Sequence, residues 1–227
     1  MHVFAIGDIH LPGGMDKPMD VFGPHWEGHF DRMSRYWRDS IQEGDIVLIP
    51  GDISWAMQLN EAMEDILALS ELPGRKVLLR GNHDYWWRSI SKLRAVLPDR
   101  VHAIQNDSLE IDGLGIAGSR GWNCPGSQGF TDKDKRIYER ELQRLRLSLS
   151  TLPDRKNAIC MMHFPPCCDR NVKTGFTELF DEFEIEHVVY AHLHGIAHKG
   201  AFEGRLNGTT YTLCSSDHLS FRPKMIL

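Results

Sequence analysis

Residues 3–10 read Val3-Phe4-Ala5-Ile6-Gly7-Asp8-Ile9-His10, an apolar β-prone run that stops at a glycine and then delivers an aspartate and a histidine. Residues i and i+2 share one face of an extended segment, so Asp8 and His10 point the same way if the chain stays extended there. A capping aspartate beside a surface histidine is the plainer alternative. The same punctuation recurs downstream. The run 46–49 ends in Gly51-Asp52, and 77–79 leads through Arg80 to Gly81-Asn82-His83-Asp84. The run 158–162 ends at His163, and 188–190 leads into Ala191-His192-Leu193-His194. A further run covers 211–213.

Between these runs lie segments of helical period, over about 27–41, 61–72 and 132–149. In the last, Tyr138, Leu142, Leu145, Leu149 and Leu152 fall on one stripe. Its interleaved Arg, Lys and Glu residues read as a solvated face. Another helix follows Asp84, with Ile90, Leu93 and Leu97 on its apolar side. Strands alternating with helices predict an α/β layered domain, in which ligands gather at the carboxyl ends of the strands. The Gly/Pro-rich stretches 11–24 and 122–130 read as long loops, of the kind that line or cover a site.

At 227 residues the chain is expected to form one domain, 1–227, and its 41% hydrophobic and 25% charged content is that of a globular protein. A formal net charge of −5 argues against a dedicated nucleic-acid binder. It leaves phosphorylated small molecules or nucleotides open as substrates, because bound cations can supply positive charge locally. The five cysteines contain no CxxC pair and read as reduced, mostly buried thiols of a cytoplasmic protein. The run 3–6 is too short for a signal-peptide core, and no apolar stretch is long enough for a membrane span.

The polar residues at the strand ends are Asp, Asn and His, without Cys. That mixed nitrogen and oxygen set suits Mn, Fe or Zn better than Ca or a thiolate-bound structural zinc. Singly, each residue has a plainer use: Asp52 as a turn residue, His163 as a core histidine, His192 and His194 as a surface pair. Their conjunction at successive strand ends favours a metal site. The ordered series Asp-x-His, Gly-Asp, Gly-Asn-His-Asp, His and His-x-His resembles the calcineurin-like metallophosphoesterases, including their bacterial-type predicted phosphohydrolases, from Asp8 to His194.

The resemblance implies a four-layer α/β/β/α sandwich with two mixed β-sheets and two divalent transition-metal ions. It implies that Asp8, His10 and His194 bind one ion and Asn82, His163 and His192 the other. Asp52 would bridge them, with His83 as an acid catalyst oriented by Asp84. It further implies direct attack of a bridging hydroxide on a phosphomonoester, phosphodiester or pyrophosphate. A nuclease of the same fold and a non-catalytic protein-binding scaffold are the competing readings; the full set of ligands and His83 speaks against the scaffold.

Two departures from the family pattern stand out. Ala191 occupies a position that is usually Gly. The segment Gly51-Asp52-Ile53-Ser54-Trp55-Ala56-Met57 lacks an arginine carried by the protein Ser/Thr phosphatase branch. Leu79-Arg80-Gly81-Asn82-His83 does match that branch, so Arg80 is a substrate-phosphate contact or else a surface or ion-paired arginine. Trp55, Trp86, Trp87 and Trp122 near the motif loops read as packing residues, with stacking on a substrate as the alternative. His25, His29, His218 and the polar residues of 215–220 read as surface groups.

Overall fold

A computed structural model of the chain describes residues 1–14, 19–168 and 172–227. One sheet has the order β11-β1-β2-β3-β4. It is built from β1 (Val3–Ala5), β2 (Ile46–Ile49), β3 (Arg75–Leu79) and β4 (Val101–Ile104), all parallel, with β11 (Lys224–Met225) antiparallel at its edge. The other has the order β5-β6-β7-β8-β10-β9. Its β6 (Leu114–Ser119), β7 (Ala158–Met162), β8 (His187–Tyr190) and β10 (Thr209–Leu213) run parallel. β5 (Leu109–Ile111) and β9 (Gly204–Leu206) are antiparallel edges.

Helices α1 (His29–Ser40), α2 (Leu59–Ser70) and α3 (Ile90–Arg94) belong to the first half of the chain, and α4 (Asp132–Ser150) and α5 (Gly175–Glu182) to the second. Strand alternation sorts the side chains into layers. Val3, Ala5, Ile46, Leu48 and Val77 meet Ile116, Ile159, Met161 and Val189 between the sheets. Phe4, Ile6, Val47 and Ile49 pack outward on Met33, Trp37, Ile66 and Leu69 of the first two helices. Cys160, Met162, Val188 and Tyr190 pack outward on Leu145, Leu149, Phe176 and Phe180. This is the four-layer α/β/β/α sandwich. Central strands buried on both faces explain why their sequences are apolar throughout rather than alternating.

Several elements lie outside the periodic runs of the sequence. β6 reads Leu114-Gly115-Ile116-Ala117-Gly118-Ser119, and its glycines blur the apolar run. They serve packing: a Cβ on Gly118 would sit 2.3 Å from the Met161 carbonyl oxygen of the neighbouring strand. α3 stops at Arg94, before Leu97, which packs on the core from the turn ahead of Pro98. β4, β5, β9, β11 and α5 are too short to show a period. The helix starts are locally encoded: Thr131 and Asp134 form a capping box on α4, and Gln58 and Glu61 on α2. Within the 11–24 stretch, residues 19–22 form a 3-10 turn; residues 15–18 lie outside the described residues. Among the described residues, no helix is long and apolar enough to cross a membrane.

Candidate metal centre

The five polar clusters follow the carboxyl ends of β1, β2, β3, β7 and β8. Backbone bonds stitch the two sheets together at this edge: Gly7 N–H donates to the Cys214 carbonyl at 2.7 Å, and Ser216 N–H donates to the Gly7 carbonyl at 3.0 Å. Within the second sheet, Ala191 N–H donates to the His163 carbonyl at 3.1 Å. Asp8, His10 and His194 offer ligand atoms to one point, and Asp52, His163 and His192 to a second, each set lying within 4.8 Å of one another. Asn82 joins the second group, with its Oδ1 2.7 Å from His163 Nε2. Asp52 Oδ2 is 3.4 Å from His163 Nε2 and 4.0 Å from His10 Nε2, so one oxygen faces both groups.

The backbone reaches this arrangement by turning, not by staying extended. Asp8, His10, Asp52 and His192 all have left-handed φ, at 53°, 51°, 51° and 76°. Non-glycine residues in that region carry roughly 1–3 kcal/mol of strain each, and such strain gathers at functional sites. The two-residue alternation expected for Asp8 and His10 therefore does not operate; left-handed turns aim both side chains. The Ala191 methyl fits because its neighbour is Gly7: a Cβ there would lie 2.7 Å from Ala191 Cβ.

Hydrogen bonds select the tautomers. His163 Nδ1–H donates to the Pro50 carbonyl at 3.0 Å, so its Nε2 lone pair faces Asn82 Oδ1 and Asp52 Oδ2. His194 Nδ1–H donates to Asp217 Oδ1 at 2.9 Å, leaving Nε2 toward Asp8 Oδ2 at 3.8 Å and His10 Nε2 at 3.4 Å. Acceptors turned on one another repel unless a cation or a proton lies between them. Asp8 Oδ1 is a buried acceptor with no hydrogen-bond partner among the described residues. These donors fit divalent transition-metal ions.

Electrostatics agree with that fit. Burial pushes the His10 and His192 imidazoles down to about 3, the neutral form that ligates metals. Burial raises the Asp8 carboxyl to about 6. Burial also acts against a charged His163, yet the Asp52 and Asp8 carboxylates lift it to about 9. Burial acts against a charged Asp52 as well, but His163 and His10 hold its carboxyl well below the usual range. Where carboxylates hold a proton so firmly, a bound cation can take its place.

A cavity of about 310 Å³ opens over this centre. His83 lines it beside Asp52, His10, His192 and His194, while Met19, Phe22, Trp26 and Trp55 form its apolar wall. Trp55 stacks on the His10 ring at 4.8 Å. The 11–24 loop thus lines the cavity through Met19 and Phe22. The 122–130 loop lines a neighbouring cavity of about 180 Å³ that shares His192.

Several expectations are corrected. Asp84 does not turn to His83. Its oxygens accept N–H groups from Gly81, Asp52, Ile53 and Ser54 and the Trp86 indole, at 2.7–3.3 Å, which occupies the carboxylate with the Asp52 turn. Arg80 does not line the metal cavity but a second one with Arg120 and Arg144. His29 is buried, with ring nitrogens 2.9 Å from the Ile9 carbonyl and 3.1 Å from that of Trp26. Ser215 and Ser216 are buried, and Ser216 Oγ donates to the Asp8 carbonyl. His25 and Asp217 line the cavity, and His218 pairs with Glu203 at 3.1 Å. The packing reading, by contrast, agrees with Trp86 and Trp87, which lie in the core; Trp122 donates to Asp134 at 2.9 Å.

A two-sheet α/β sandwich with a carboxylate and histidine centre at its strand ends defines the class of protein. Residues 1–195 match the calcineurin-like phosphoesterase family, and the chain belongs to it. Among solved structures, it is similar to AQ665 of Aquifex aeolicus, a protein of unknown function, with TM-score 0.55 and 15% identity over 99% of this chain and 95% of that one. It is also similar to the phosphopantetheinyl hydrolase PptH of Mycobacterium tuberculosis, with TM-score 0.55 and 14% identity over 100% and 95% of the two chains. Both likenesses are likenesses of fold. No curated protein matches the sequence.

Proposed function

We propose that this chain hydrolyses a phosphoester directly, with two divalent transition-metal ions (Mn, Fe or Zn) held by Asp8, His10 and His194 on one side and Asn82, His163 and His192 on the other, and with Asp52 between them. The observation that carries the proposal is Asp52 Oδ2 facing His10 and His163 at once. Such ions polarise phosphoryl oxygens and make water nucleophilic near neutral pH. The chain's own residues supply the rest. His83 lines the cavity and is assigned to protonate the departing oxygen. Asp84 holds the turn that presents Asp52, and Asp217 holds His194. No nucleophilic side chain is needed, so no phosphorylated enzyme forms.

The substrate is read as a small phosphorylated molecule with an apolar portion, because Met19, Phe22, Trp26 and Trp55 wall the cavity and the net charge is −5. The free cysteines support a cytoplasmic address. The test is hydrolysis by protein loaded with Mn, Fe or Zn, measured on a panel of monoesters, diesters and pyrophosphates. A phosphopantetheinyl ester belongs in it, given the activity named for the Mycobacterium tuberculosis neighbour. Release of phosphate or a phosphomonoester from one class supports the proposal, and inertness toward every class with all three metals contradicts it.

A further inference from the structure

Arg80, Arg120 and Arg144 line a second cavity, of about 60 Å³. Arg80 follows β3, Arg120 follows β6, and Arg144 comes from α4. Gln105, Asn106 and Ser119 add polar groups to the same wall. Glu141 is the carboxylate of this lining and is 1% exposed. Its Oε1 accepts from Arg144 Nη1 at 2.7 Å and Arg120 Nη2 at 3.3 Å, while Oε2 accepts from Ser119 Oγ at 2.8 Å. A single carboxylate therefore serves two guanidiniums, and the third has none in this wall.

The hydrogen-bond account is also short of acceptors. The Nε–H groups of Arg80 and of Arg120 are buried and meet no acceptor among the described residues. Among the described residues, three cations against one anion leave an excess of two positive charges in the lining. The flanking groups do not remove it, because Asp84 acts on Arg80 while Arg140 acts on Arg120. Arginine cannot relieve the strain by losing its proton. Partly buried guanidiniums with unmet donors are stabilised by a dianion that accepts from several at once.

We propose that Arg80, Arg120 and Arg144 form an oxyanion site for one phosphate group, either free inorganic phosphate or the terminal phosphate of a small phosphorylated molecule, apart from the metal centre. A plain salt-bridge network would be closer to charge balance and would leave no buried guanidinium donor unmet. The site adjoins the ligand loops: Arg80 is two residues before Asn82, and the Arg120 carbonyl accepts Phe164 N–H at 2.9 Å beside His163.

Crystals of the metal-loaded protein soaked in tungstate should show anomalous density among the three arginines, whatever is seen at the metals. Equilibrium dialysis with labelled inorganic phosphate should find two phosphates per metal-loaded chain. The double variant Arg120→Gln/Arg144→Gln should lower this to one. Arg144→Gln alone, a change in the half-exposed member of the cluster, should weaken the second phosphate by roughly 10- to 100-fold. Asp52→Asn, which disrupts the metal site, should still bind one phosphate, so failure of the metal proposal is seen separately. Methylphosphonate separates the sources: binding equal to phosphate points to a phosphorylated molecule, and exclusion points to the free ion. Tungstate at the metals only, together with phosphate binding insensitive to the arginine substitutions, would overturn the proposal.

Discussion

Asp217 Oδ1 lies 2.9 Å from His194 Nδ1, behind the imidazole and away from the side that faces Asp8 and His10. The same carboxylate accepts Gly195 N–H through Oδ2 at 3.0 Å. A carboxylate in this position fixes the ring orientation and raises the basicity of the ligating nitrogen. Asp217→Ala should therefore weaken binding of one metal ion by roughly 10- to 100-fold while leaving the fold intact. Competition against a chelator of known affinity checks this, and an unchanged affinity would place Asp217 outside the ligand support.

Asp52 faces both ligand groups, whereas Asp8 and His10 belong to one. Asp52→Asn should accordingly release both ions and lower activity further than Asp8→Asn or His10→Ala. Metal content and initial rates of the three variants decide it. Equal, mild losses in all three would mean that Asp52 is not the bridge.

His83 and Asp84 are adjacent in sequence but do different work. If His83 protonates the leaving oxygen, His83→Ala keeps both metals and loses roughly 10²–10⁴-fold on alkyl phosphoesters. It should lose much less on nitrophenyl esters, whose leaving groups hardly need the proton. Asp84→Asn turns an amide N–H₂ toward backbone donors, so it should destabilise the protein by about 2–4 kcal/mol and lower metal occupancy on all substrates alike. Rate against leaving-group basicity, with metal content, separates the two. A leaving-group-dependent loss in Asp84→Asn with full metal would return Asp84 to a role through His83.

Lys76 is fully buried, and its ammonium donates to the carbonyls of Ser70 at the end of α2 and of Leu72 and Gly74 just beyond it. Lys76→Met strands those carbonyls and should cost about 2–3 kcal/mol near neutral pH. Burial lowers this amine from 10.5 to about 8. With the folded value below the unfolded one, the folded chain releases its proton first, so the contribution to stability rises between about pH 8 and 10.5. Burial raises the thiols of Cys124 and Cys167 to about 12, an effect of opposite sign that is common to both proteins. The stability difference between wild type and Lys76→Met, from urea unfolding at several pH values, should widen across that window. A flat difference would contradict the assignment.

The central strands and the clusters that follow them were legible because burial on both faces makes each strand uniformly apolar and each polar strand end conspicuous. β6 was hidden by Gly115 and Gly118, which make room for Leu152 and for the Met161 carbonyl of β7 respectively, and whose signal is indistinguishable from a turn. Asp217 was missed because it belongs to no motif, although it follows β10 as His163 follows β7; the strand-end rule carried one step further would have found it. The direction of Asp84 could not be read from Gly81-Asn82-His83-Asp84, since Asp52, Ile53 and Ser54, three of its partners, come from the turn after β2. Arg80 shows the same limit. Its neighbours Arg120 and Arg144 come from a different sheet and a different layer, and only the packing of the two sheets brings them together.

Two metal ions held by Asp8, His10, Asp52, Asn82, His163, His192 and His194 are proposed to support the hydrolysis. Metal content by mass spectrometry is measured alongside activity, before and after exhaustive chelation and after adding back Mn, Fe or Zn. Up to two transition-metal ions per chain, loss of activity on chelation and recovery on reloading are expected. Full activity in protein stripped of metal would contradict the proposal.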